Sequence, residues 1–206
     1  MGAFPTSDMP GHKRLHERVT LALDTCQELE DVDFKESQPW SELQWRIIKT
    51  SLAMANLRDG GIIVIGVSER GQTWALTGIT AKELATFDVD KIIAKINAFA
   101  SPHVDIDIVL VSHRDVQYLA IQVHEFSDTP IVCRKNGDRG LVEGGLYIRP
   151  PGKAQTTRAM NAPQMDDLLE LAAEKRARRI LEVAGRVGLV PRVPAGSLFD
   201  RELAGL

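Results

Sequence analysis

Three carboxylates and one lysine carry the first chemical hypothesis in this 206-residue sequence. Glu28, Asp33 and Glu69 would repel one another in one place unless a cation joined them. Hard oxygen donors of this kind suit magnesium or manganese. A metal so held generates hydroxide and stabilises the charge that builds on a phosphodiester in transition. Lys35, two residues from Asp33 on one strand face, would neutralise a phosphate oxygen. Convergence requires the strand around residues 31–35 to lie near the end of the strand at 62–67. The competing reading is a solvated strand face, because acids and lysines are mostly exposed.

The second constellation is basic. Arg134, Lys135 and Arg139 share one strand and loop, while Arg149, Lys153 and Arg158 surround a Pro-Pro-Gly turn. Both sets can contact phosphates, which position a polymer without reading its sequence. Arg178 and Arg179, with Lys175 and Arg176, close a long helix. Cations there also favour the helix dipole, by about 0.3–1 kcal/mol each. Trp40 and Trp45 can stack bases, although Trp45 sits on a helix where a core role competes.

Other chemistries find no support. Gly60, Gly61 and Gly66 lack the Gly-Lys-Ser/Thr of a phosphate loop and precede a strand rather than a helix. No Gly-x-Gly-x-x-Gly opens a helix, and Ser68 has no nucleophile-elbow context. His12 and His16 are four apart without a zinc motif beside them. Cys26 and Cys133 are far apart and read as reduced thiols. The net charge of −3 does not mark a nucleic-acid binder at the level of the whole chain, which leaves room for a local basic patch. The first eleven residues hold no apolar signal core, and no run approaches the roughly 18–20 apolar residues of a membrane span. A soluble, cytoplasmic protein is expected, with 44% apolar residues to build its core.

The elements that must position these residues follow from periodicity. Residues 1–11 read as a mobile tail, 12–182 as the domain and 183–206 as an extension. A helix from about His12 to Thr25 buries Leu15, Val19, Ala22 and Leu23. Val32 and Phe34 alternate with Asp31, Asp33 and Lys35, a half-buried strand. Ser41 resembles a helix N-cap, and the helix that follows runs to about Leu57. Ile62–Val67 is apolar on both faces, as a central strand must be, and Glu69 lies in the turn beyond it. A helix over 88–100 buries Val89, Ile92, Ile93, Ile96 and Phe99. Residues 104–111 and 117–123 form an antiparallel hairpin, 129–134 and 145–149 are further strands, and a helix over 163–180 turns Met165, Leu168, Leu169 and Ala172 inward. The segment from Val187 to Leu206 offers a partner-binding tail.

The order Glu28…Asp33-Phe34-Lys35, Ala53-Met54-Ala55-Asn56…Gly60-Gly61-Ile62-Ile63-Val64-Ile65-Gly66-Val67, Thr129-Pro130-Ile131, Gly145-Leu146-Tyr147-Ile148-Arg149 resembles the Schlafen AlbA-type domain over roughly residues 24–172. The resemblance implies an α/β (α+β) fold with a mixed β-sheet flanked by helices and a DNA-binding role. In the vertebrate branch similar domains are metal-dependent endoribonucleases that cut transfer RNA with three acids. Those acids map onto Glu28, Asp33 and Glu69. The family's usual Glu before Phe-Lys is Asp33 here, and the acid after Ile-Gly-Val is a Glu, so each differs in reach by one methylene. The expectation is a nucleic-acid-acting domain, with RNA favoured over DNA, Mg2+ or Mn2+ on the three acids, and a homodimer building the cleft. A DNA- or RNA-binding regulator without catalysis and a protein-interaction module are the alternatives.

Overall fold

The computed structural model describes Phe4 and residues 13–71, 73–150, 155–158 and 161–189. Strand β1 (Val32–Lys35) runs parallel to β2 (Gly61–Ile65), and a parallel pair needs a crossover, supplied by helix α2 (Trp40–Met54). An antiparallel hairpin, β6 (Ile106–His113) and β7 (Val116–Val123), extends the sheet in the order β1-β2-β7-β6. The hairpin turns through Arg114 and Asp115 with φ of 50° and 62°, the paired positive values that the right-handed strand twist favours.

All of β2 is buried, as a strand apolar on both faces requires. Its Ile63 and Ile65 join the core under α2, while Ile62 and Val64 join a second core under α1 (Lys13–Thr25). Helix α1 buries Leu15, Val19, Ala22 and Leu23, the expected stripe. Beyond β2 the chain forms a small hairpin of β3 (Val67–Arg70) and β4 (Thr73–Leu76). The short helix α3 (Ala81–Leu84) and α4 (Val89–Asn97) come next. Helix α4 buries Ile92 and Ile96. Four two-residue strands complete the sheetwork: β5 (Ala100–Ser101) pairs with β8 (Val132–Cys133), and β9 (Tyr147–Ile148) with β10 (Thr157–Arg158). Helix α5 (Ala162–Arg186) closes the described chain. Among the described residues no helix is long and apolar enough to cross a membrane.

The α+β architecture and mixed sheet agree with the sequence reading, and several local expectations are corrected. Helix α2 begins at Trp40 behind Pro39 without a side-chain cap, so Ser41 is not its cap. The Trp40 N–H instead donates to Thr86 Oγ1 at 2.9 Å, a partner 46 residues away. Glu69 lies inside β3 rather than in a turn. Helix α5 buries Leu168, Leu171 and Ala172, whereas Met165 and Leu169 face outward. Of the expected N-terminal tail Phe4 is described, and it packs against the main core. His12, the rest of that tail, Lys153 and residues 190–206 lie outside the described residues.

Gly60 marks one close approach. Its φ is +65°, and a Cβ there would sit 2.0 Å from the Val123 carbonyl oxygen. Only glycine lets β2 enter the sheet beside β7 at this point.

Candidate nucleic-acid interface

Strand β1 is an edge, so half of its backbone groups lack a sheet partner. The Asp31 and Lys35 carbonyls face β2, accepting from Ile62 and Gly66 N–H at 2.8 Å each. The intervening groups face outward, and side chains close them. Glu28 Oε1 accepts the Phe34 N–H at 2.8 Å. Lys35 Nζ donates to the Phe34 carbonyl at 3.1 Å, and Arg149 Nη2 donates to the Val32 and Leu29 carbonyls at 3.1 Å each. Three of the residues predicted to do chemistry therefore seal a sheet edge.

Asp33 lies beneath this seal and is buried, against the expectation of a solvated face. Its Oδ1 accepts from Arg149 Nη1 at 2.9 Å, and its Oδ2 is ion-paired with Lys35 Nζ. Arg149 is itself only 2% exposed, so it is a structural partner and not a phosphate contact. Beside them, burial pushes the Glu28 carboxyl above its ordinary range, with Asp33 adding to the rise. The Phe34 N–H and the charges of Lys35 and Arg149 oppose it.

Glu69 stands apart from this group. It is exposed on β3 opposite Trp74. Among the described residues no group of three or more His, Cys, Asp or Glu side chains is placed to hold a metal ion. Asp33 is already neutralised by two cations and Glu28 caps a backbone N–H. This donor set does not fit a three-acid divalent centre.

The basic residues gather on another part of the surface. Lys135 Nζ lies 4.5 Å from the Phe99 ring centre and Lys95 Nζ 5.0 Å from that of Trp45. The two rings pack edge to face at 5.4 Å. Gly137 lies against both, since a Cβ there would be 2.8 Å from Phe99 and 3.0 Å from Trp45. The Arg134 N–H donates to the Phe99 carbonyl at 2.8 Å, which seats the basic loop on this aromatic pair. Lys49 Nζ sits 5.5 Å over the Tyr147 ring and 3.4 Å from the Arg139 carbonyl. Arg158 is exposed on β10, directly across from Tyr147. The Tyr147 hydroxyl donates to the Gly140 carbonyl and accepts the Val142 N–H, fixing the loop that carries Arg139.

Arg134, Lys135, Arg139 and Arg158 are thus brought onto one surface, and Lys49 and Lys95 join them. None of the six makes an ion pair among the described residues. The sequence reading overlooked Lys49 and Lys95, although each is four residues from an aromatic, Trp45 and Phe99, the spacing of facing helical side chains. Trp45 serves as a platform for Lys95 and Tyr147 for Lys49, and Trp40 packs edge to face on Phe87. Arg178 and Arg179 lie elsewhere, on α5, where Arg179 is ion-paired with Asp128. The cleft beside Arg149, about 280 Å³, is lined by Glu30, Asp31, Asp167 and Glu170 against Arg58 and Arg149, both of which are already ion-paired, a balance that disfavours phosphate.

A family profile described as Schlafen, AlbA_2 matches residues 28–158, and the chain belongs to that family. The match takes in the β1 edge, the central strand and the aromatic–basic surface. No curated protein sequence matches the chain significantly. Similar solved structures include the DIP2311 protein from Corynebacterium diphtheriae, with a TM-score of 0.49 and 16% identity over 76% of this chain. This chain spans 28% of that protein's length. Another is the N-terminal domain of a RecG-related protein, named for an ATP-dependent DNA helicase, from Nitrosomonas europaea. It has a TM-score of 0.44 and 19% identity over 70% of this chain and 93% of that domain.

Proposed function

We propose that this chain is a nucleic-acid-binding domain that grips the phosphate backbone with Lys49, Lys95, Arg134, Lys135, Arg139 and Arg158. One observation carries the reading: three lysines, Lys49, Lys95 and Lys135, lie over the rings of Tyr147, Trp45 and Phe99 beside Arg134, Arg139 and Arg158, and none of these six cations is ion-paired among the described residues, in a chain whose net charge is −3. Unpaired charge concentrated against the sign of the whole molecule is what a polyanion site requires. Lysines held over aromatic faces keep their charge while losing conformational freedom, so less order remains to be imposed on binding. The contacts reach phosphates and sugars, which predicts affinity for many sequences, and the family resemblance favours structured RNA over DNA.

The test is fluorescence anisotropy with labelled transfer RNA and a DNA duplex of similar length, across a salt series. A phosphate site gives an affinity that falls steeply as salt rises. Absence of binding to either nucleic acid at low salt refutes the proposal.

The narrower reading, a divalent-metal-dependent endoribonuclease acting on transfer RNA, rests on the neighbouring Glu28 and Asp33 carboxylates. It requires Lys35 and Arg149 to release Asp33 and Glu69 to approach. Incubating transfer RNA with the protein and Mn2+ or Mg2+ decides it, with Glu69→Gln as the control that leaves the β1 edge untouched. Binding without metal-dependent cleavage leaves the domain as a non-catalytic binder.

A further inference from the structure

Among the described residues, helix α5 is held to the body only along its first part. Leu168, Leu171 and Ala172 are buried. Lys175 and Arg179 are the last anchors, ion-paired with Glu125 and Asp128. Among the described residues from Ile180 to Leu189 no side chain is buried. These turns are nonetheless apolar: Ile180 is 67% exposed, Leu181 61% and Val187 63%. Just past the helix end Gly188 takes φ of +76°, and the Leu189 N–H returns to the Ala184 carbonyl at 2.9 Å. Leu189 is thereby folded beside Ile180, Val183, Ala184 and Val187, which together line an apolar notch. Helical turns projecting into water are marginal by themselves, and an uncovered apolar stripe marks a contact surface.

The spacing of that stripe is specific. Leu169, Ala173, Arg176, Ile180, Val183 and Val187 recur in alternating steps of four and three. This is the heptad seam of a two-helix coiled coil. Charge is sorted along the same helix. Residues 166–174 hold Asp166, Asp167, Glu170 and Glu174 with no base, whereas 175–186 hold Lys175, Arg176, Arg178, Arg179 and Arg186 against Glu182 alone. Asp166, Asp167, Glu170, Arg176 and Arg186 make no ion pair among the described residues. Two such helices laid parallel would set basic half on basic half. Laid antiparallel, the acidic half of each meets the basic half of the other.

We propose that α5 is a homodimerisation helix whose occupant is α5 of a second copy, running antiparallel. The seam fixes a register without adjustment. Leu169 faces Val187 of the second copy, Ala173 faces Val183 and Arg176 faces Ile180. Each layer then mates one seam position with the other, as antiparallel packing demands. The Arg176 stem covers Ile180 while its guanidinium reaches water. The aromatic–basic surface lies on α2, α4, β10 and the 134–140 loop, so the dimer carries two such surfaces joined by a helical bar.

Sedimentation velocity on the full chain tests the association, and cysteine cross-linking tests its direction. The wild-type chain sediments as a dimer, and Ile180→Asp with Val183→Asp makes it a monomer with an unchanged circular dichroism spectrum. Leu169→Cys and Val187→Cys variants do not cross-link alone but form a disulfide dimer when mixed. The wild-type chain, with Cys26 and Cys133, is the control lane. A wild-type monomer throughout overturns the proposal, as does a dimer that survives the two aspartates. Cross-linking of Val187→Cys with itself overturns the antiparallel arrangement.

Discussion

Arg149 Nη1 reaches back 116 residues to Asp33 Oδ1, at 2.9 Å, with both side chains withdrawn from water. The same guanidinium closes two carbonyls at the open edge of β1. The pair therefore joins the late β9 region to the first strand of the sheet. Removing one member of such a pair leaves an uncompensated buried charge.

Arg149→Ala is expected to destabilise the fold by about 3–5 kcal/mol, the usual cost of orphaning a buried partner. Arg149→Lys recovers only part of this, because an ammonium cannot span the carboxylate and two carbonyls as the planar fork does. Urea denaturation at neutral pH measures both. An unchanged midpoint for Arg149→Ala would show that Asp33 is satisfied without it. For the same reason Asp33→Ala is a poor test of catalysis, since loss of fold and loss of a catalytic group look alike.

The raised carboxyl of Glu28 predicts a pH dependence with a definite sign. Burial lifts it above its ordinary value of 4.5, while the unfolded chain keeps that value. The folded state thus holds its proton to higher pH than the unfolded state. The contribution of Glu28 to stability is full below 4.5 and is lost as pH rises through the folded-state value. Glu28→Gln keeps an acceptor for the Phe34 N–H and removes the titration. Denaturation midpoints collected upward from about pH 4 should fall less steeply for the variant than for the wild type. Parallel curves would mean that Glu28 ionises as it does in the unfolded chain.

The elements behind this site differ in how plainly the sequence shows them. Leu15, Val19, Ala22 and Leu23 mark the buried stripe of α1 because three- and four-residue spacing is enforced by the helix itself. The two-faced apolarity of β2 marks a central strand for an equally local reason. Asp33 and Lys35 also alternate correctly, yet the inference of a wet face fails. The partner that dries Asp33 is Arg149, and no local pattern records a contact across 116 residues. Strands β5, β8, β9 and β10 have two residues each, too few for any period. On α5 the expected stripe is misplaced by part of a turn, since Leu169 and Leu171 are equally apolar and only packing chooses between them. The basic loop is visible from composition, but its aromatic base becomes apparent only once α2 and α4 are docked.

The surface built on that base makes a graded prediction. Lys95→Gln and Lys135→Gln each remove one cation and leave the Trp45–Phe99 pair in place. Each should weaken binding to all sequences alike and reduce the salt slope by about one. Glu30→Gln, in the acidic cleft, should change neither. Anisotropy titrations at several salt concentrations separate these outcomes. Lysine variants with unaltered slopes would place the nucleic acid elsewhere.

Asn56 supplies the last test, because it holds the basic surface to the sheet without contacting ligand. It is buried just beyond the end of α2. Its Nδ2 donates to the Ile131 and Tyr147 carbonyls at 2.9 and 3.0 Å, and its Oδ1 accepts the Ile131 N–H at 2.7 Å. One amide thereby satisfies three backbone groups on two segments that have little regular pairing of their own. Asn56→Ala leaves those groups buried without partners, at about 1–3 kcal/mol for each unsatisfied group, less where water enters. Asn56→Asp keeps the acceptor, loses both donors and adds a charge, so it should be no milder. The two segments carry Arg134 on one side and the Tyr147 that fixes Arg139 on the other. Asn56→Ala should therefore lower both the denaturation midpoint and the nucleic-acid affinity, although its own side chain lies beneath the surface. A variant that loses stability but binds with unchanged affinity would show that the basic surface is organised by Trp45 and Phe99 alone.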